Sequence, residues 1–163
     1  MRATFQALLT VAILSACTAG ELPMTQTPSG RPEVTFPTRN LALVSEKLVG
    51  LCAQKGILVQ KSEMNEVICG GTMEGGSAIL AQMMIGNSYS TTPSQLVRFT
   101  IFPYQSGTRV QAYQWIETQM AFGQVNRSEM NSASQFNSIM QALISVGGKP
   151  VGNTTPAVAA KTQ

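Results

Sequence analysis

The chain has 163 residues, 44% apolar and 12% charged, which is room for one domain and enough apolar matter for one core. Eleven Lys and Arg against eight acidic residues give a formal charge of +3, with no basic run to follow a phosphate backbone, so no nucleic acid is expected as a partner. His and Asp are both absent. That excludes Ser-His-Asp and Cys-His catalysis within the chain and removes the commonest metal ligand.

The first residues have the parts of a secretory signal: a positive charge at Arg2, an apolar run from about Ala7 to Leu14, and small residues after it. The run is too short to span a bilayer, which needs ~20 mostly apolar residues. Its end, Leu14-Ser15-Ala16-Cys17, resembles the bacterial lipobox. The resemblance implies cleavage before Cys17, a diacylglyceryl thioether on its sulfur and a membrane anchor of more than one acyl chain, which is stable where a single chain is marginal. Thr18 stands where an Asp would favour inner-membrane retention, so the resemblance implies the outer membrane, facing the periplasm. A plain signal peptide with an incidental Cys is the alternative.

With Cys17 committed to lipid, Cys52 and Cys69 remain, and an even pair in an oxidising compartment is a disulfide candidate. Two buried free thiols are the other reading. Two Cys without nearby His or Asp do not make a zinc site, and no metal or cofactor is expected.

Residues 17–33 are rich in Thr, Pro and Gly and read as a lipidated flexible tether, after a signal peptide at 1–16. A single domain is expected over 34–146, and a disordered tail over 147–163. Within the domain, Leu41, Val44, Leu48, Leu51 and Cys52 share one face of a helix from about Arg39 to Lys55, capped by Thr38 or Asn40 and stopped by Gly56. Ile57-Leu58-Val59 and Val67-Ile68-Cys69 flank a polar stretch and predict a hairpin that returns Cys69 toward Cys52. The Gly pairs at 70–71 and 75–76 lack the Lys-Ser/Thr of a P-loop and read as turns or hinges.

The crossing from Ser77 to Gly86 is apolar nearly all round and is expected to be buried core. Its Met residues would otherwise suit an adaptable binding surface. Val97, Phe99 and Ile101 alternate before a turn at Pro103–Gly107, and Val110 and Ala112 resume after it, which predicts a second hairpin. A last helix is expected from Ser132, where Ser132 and Gln135 fit a capping box, to a stop at Gly147.

This order predicts an α+β two-layer domain, a four-stranded antiparallel sheet with two helices on one face. In layout it is similar to the helix-grip modules of some outer-membrane assembly lipoproteins, a likeness that assigns no residue roles. Alternation places Arg98, Thr100, Arg109, Gln111, Tyr113 and Trp115 on the face the helices leave open. Arg98, Arg109, Tyr113 and Trp115 are the candidate partner-binding residues, since Arg, Tyr and Trp dominate binding hot spots. A face covered by the tether or by loops is the alternative.

The function these features point to is a non-catalytic binding or accessory module of the cell envelope, with the membrane, an envelope protein or a cell-wall glycan as partners. A carrier of a small apolar ligand, with its cleft between helices and sheet, is the alternative. A hydrolase built on Glu or Ser is a further one, although no Ser-x-x-Lys motif occurs and the Glu residues are scattered.

Overall fold

A computed structural model describes residues 24–86 and 90–151. The signal, Cys17 and the chain beyond Val151 lie outside the described residues. The first helix forms where the apolar spacing predicts. α1 (Leu41–Gln54) starts at Asn40, whose side-chain oxygen accepts the Leu43 N–H at 3.1 Å, and stops before Gly56, whose φ of +68° few other residues adopt. Its buried face is Val44, Ser45, Leu48, Leu51 and Cys52.

β2 (Val59–Ser62) and β3 (Glu66–Thr72) form the first hairpin, with Val59 opposite Cys69. The pairing runs further into the polar stretch than the apolar triplets suggest, and Ile57 and Leu58 precede it. β2 is an edge strand with every residue exposed, so it needs no apolar side chains, and Lys61 is held by Glu63 and Glu66. The Sγ atoms of Cys52 and Cys69 stand 2.06 Å apart, a disulfide distance, joining the last turn of α1 to β3.

β4 (Ser94–Tyr104) and β5 (Gly107–Gln119) make the longer second hairpin, with Phe99 opposite Ala112 and Ile101 opposite Val110. α3 (Ala133–Ser145) opens on the expected capping box. Ser132 Oγ accepts the Gln135 N–H, and Gln135 Oε1 accepts the Ser132 N–H, each at 3.3 Å. Phe136, Met140 and Leu143 of α3 meet Val34, Phe36, Val44, Leu48, Val67, Phe99, Ile101 and Val110 in one core.

The sheet has seven strands, not four, in the order β2-β3-β4-β5-β1-β7, with β6 off this path. β1 (Glu33–Phe36) pairs with Thr108–Gln111, and β6 (Val125–Glu129) with Trp115–Gln119, so the two take successive stretches of the same flank of β5. β7 (Lys149–Pro150) adds to the outside of β1. These strands are short, and β6 and β7 are largely exposed, so they carry almost no alternation; backbone pairing with distant residues makes them. Glu33, one residue before the expected start of the domain, pairs with Gln111, and Lys149 and Pro150, after its expected end, pair with Thr35 and Val34.

There is also a third helix. α2 (Gly75–Ile85) corrects the expectation that the Ser77–Gly86 crossing is core, because only Ala78 and Ala81 are buried, and Ile79, Leu80, Met83 and Met84 are 64–82% exposed. A helix apolar all round can bury any side, and the side that goes in is the one whose small alanines allow close approach. Asn126, directly opposite Thr118, donates from its side chain to the Ile85 carbonyl at 2.7 Å and holds the end of α2 beside β6.

Candidate functional site

Arg98, Arg109, Tyr113 and Trp115 do share one face of the hairpin, with Arg98 opposite Tyr113, Leu96 opposite Trp115 and Phe102 opposite Arg109. That face is braced against itself. The rings of Tyr113 and Trp115 stack at 5.4 Å with 28° between planes, and the guanidinium groups of Arg31 and Arg98 lie 4.6 and 5.5 Å from the Tyr113 centroid. Trp115 Nε1 donates to Glu117 Oε2 at 2.7 Å, and the Nε of Arg127 donates to the same oxygen at 2.9 Å. Trp115 is left 6% exposed.

Arg109 stands apart from this stack, 3.5 Å from the centroid of Tyr104. Gln111 donates to Glu33 Oε2 at 3.0 Å, and Glu33 is fully buried. Thus three of the four candidates form one cluster and the fourth does not. Arg31, Glu117 and Arg127 complete that cluster. Arg31 and Arg127 arrive from the start of β1 and from β6, whose register beside β5 no alternation reveals. At the sheet's other edge Lys61 bonds to Glu66 and Glu63, in that order of effect, and its pKa is raised above the ordinary 10.5.

A groove of about 900 Å³ is lined by residues from all three helices and from β3, β4 and β5. α1 contributes Leu51 and Cys52, α2 Ser77, and α3 Ser138, Ile139 and Ala142; the floor includes Val97, Phe99, Gln95 and Gln114. The loop after α1 adds Ile57 and Leu58. The ionisable side chains on the lining are Lys55 and Glu74. The Cys52–Cys69 link forms part of the wall.

Local sequence explains why the space is there. Gly71 has no side chain to fill it, and a Cβ built at Gly71 meets nothing within 4 Å. Its neighbour Gly70 turns the other way, where a Cβ would come 2.5 Å from the Gln95 carbonyl oxygen, so glycine is required for β3 and β4 to pair there. Gln114 Oε1 is buried at the floor and, among the described residues, has no hydrogen-bond partner. Such an acceptor is costly unless something donates to it. The paired Gly residues of β3 were the sequence signal for this space, and they read equally well as turns.

Among the described residues no group of three or more His, Cys, Asp or Glu could hold a metal ion, and no helix is long and apolar enough to cross a membrane. Comparison with protein-family models, with curated proteins and with solved structures finds no match to this chain.

Proposed function

We propose that the chain is a lipoprotein, anchored through Cys17 in the outer membrane and facing the periplasm, that works by binding rather than catalysis and holds a slender, largely apolar ligand in the groove between its helices and sheet. The observation that carries this reading is the groove itself. Its size lies in the range of small-molecule sites, its lining combines apolar side chains such as Leu51, Ile57, Leu58, Val97, Phe99 and Ile139 with Ser, Thr and Gln groups, and Gln114 offers a buried acceptor for one hydroxyl or amide of the ligand. Glycoside hydrolysis needs two carboxyl groups flanking the scissile bond, whereas Glu74 is the sole carboxylate on the groove lining.

The test is a titration of the full chain carrying Cys17→Ser with the neutral apolar dye Nile red, beside the same chain with Gly71→Leu. The leucine enters open space, so the fold is kept while the groove is filled. Saturable dye binding that falls at least tenfold in Gly71→Leu is the expected result. Equal binding by both chains, with unchanged circular dichroism, overturns the groove as the site.

A second reading keeps the outer sheet face as a surface for an envelope protein or cell-wall glycan. What favours it is Arg109, which lies over Tyr104 with its Nε buried and unpaired among the described residues. In-cell photo-crosslinking from Tyr113, with Lys149 as control, separates this reading from the groove.

A further inference from the structure

Six large apolar side chains gather at one end of the molecule. Ile79, Leu80, Met83 and Met84 form the outward side of α2, and Phe122 and Val125 stand where β5 turns into β6. The hydrogen bond from Asn126 to the Ile85 carbonyl brings that turn to the end of α2. Phe122 is fully exposed and held at φ 66°, in the left-handed region a non-glycine side chain avoids unless something is gained by it. From Gly75 to Ile85 there is no charged residue. Scattered exposed apolar residues need no explanation, but four on one side of a single helix, with two more on the segment bonded to its end, mark an interaction surface.

We infer that this end of the molecule rests on a lipid bilayer, with the outward side of α2 and Phe122 entering the interface between headgroups and acyl chains. The occupant follows from the tether. Six residues lie between Cys17 and Met24, the first described residue, and the seven steps span about 25 Å when fully extended. Met24 and Glu129, the last residue of β6, line one small pocket, and Val125 is at the other end of that strand, about 13 Å along it. A chain anchored at Cys17 therefore keeps the domain, the patch included, within a few tens of Å of the membrane, on the order of the extended tether plus the strand. The outward side of α2 carries bulky apolar side chains and no charge, so entering that interface buries apolar surface with no ion to desolvate. A protein partner would have to compete with a bilayer that the anchor never lets out of range.

The inference rests on the anchor proposed above and extends the groove reading. Glu74 and Ser77, which begin α2, line the groove, and Ile79 and Leu80 follow within one turn. With the patch on the lipid surface the groove opens close to the bilayer, so an apolar ligand moves between them with little exposure to water.

The test uses the full chain with Cys17→Ser, which has no lipid, and flotation with vesicles of phosphatidylethanolamine and phosphatidylglycerol. Met83→Gln with Met84→Gln keeps good helix formers while removing apolar surface. The double variant is expected to lower partitioning at least tenfold, and Leu43→Gln, an exposed apolar residue on α1, to leave it unchanged. Flotation that the double variant leaves intact, or no flotation of the Cys17→Ser chain, overturns the inference. So does a concentration-dependent dimer in sedimentation that the double variant dissolves without any vesicle binding, which gives the patch to a second copy. Mass spectrometry of the N-terminal peptide of the wild-type chain tests the anchor separately. An unmodified Cys17 beside patch-dependent flotation removes the anchor and leaves the lipid contact standing.

Discussion

Reduction of the Cys52–Cys69 link is the perturbation whose size can be worked out most directly. The two residues are 17 apart in sequence. In the chain-entropy model, closing a loop of that length removes about 10 cal/mol/K from the unfolded ensemble, or about 3 kcal/mol at 25 °C. The folded side should change little, because the two elements are tied together independently. The Ile57 N–H donates to the Cys52 carbonyl at 2.9 Å, the Gly70 N–H to the Leu58 carbonyl at 2.9 Å, and Ser45 Oγ to the Glu63 carbonyl at 2.8 Å. Both sulfurs are buried and keep their packing as thiols. Urea unfolding of the Cys17→Ser chain, with and without reductant, should therefore show one cooperative transition in each state. The midpoint should fall by about 2 M on reduction, for a denaturant slope near 1.5 kcal/mol/M. A midpoint loss below about 0.5 M refutes the loop-entropy account. A large loss with a changed slope shows that the reduced chain has lost structure the hydrogen bonds were expected to keep.

Three other substitutions probe the sheet. Gly70→Ala should lower Tm by roughly 4–12 °C, the usual 1–3 kcal/mol of overpacking, since its Cβ meets the backbone of Gln95 and Leu96, which cannot move aside. Gly71→Ala, with nothing within 4 Å, should leave Tm unchanged, and equal effects at both positions would contradict the register of β3 against β4. Lys61→Met should weaken the protein between roughly neutral pH and 10.5, where the carboxylates are ionised, wild-type Lys61 is charged in the folded and unfolded chain alike, and its bonds to Glu66 and Glu63 are fully made. As pH rises through the raised folded pKa that contribution is lost, so denaturation curves of variant and wild type should converge above 10.5; a gap that stays constant across that range excludes the ion pair as its source.

Much of the core was legible in local pattern. The helical spacing of Val44, Leu48, Leu51 and Cys52, the alternation of Phe99 and Ile101 with Val110 and Ala112, and the Ser132–Gln135 capping box each state their geometry within a few residues. The pairing of Cys52 with Cys69 followed from the hairpin that returns one toward the other. The outer face was legible as a set of positions but not as an environment. Arg98, Tyr113 and Trp115 share one face as alternation indicates, yet Trp115 is buried there, and the residues that cap and pair with them, Arg31 from the turn before β1 and Arg127 from β6, carry no periodic signal. The groove was hidden for a related reason, since the absence of a side chain at Gly71 looks in sequence like any other glycine.

By itself, then, the sequence determined α1, α3 and the two main hairpins, which side of each goes inward, and that neither His nor Asp is available for chemistry, because these depend on residue identity and on periods of two and 3.6 residues. Only the tertiary structure decided the seven-strand order, the outward turn of Ile79, Leu80, Met83 and Met84, and the space left between three helices and the sheet. A strand such as β6 exists because β5 is longer than β1 and offers free backbone groups beyond Gln111, and an all-apolar helix has no preferred side until its neighbours fix how closely it can approach.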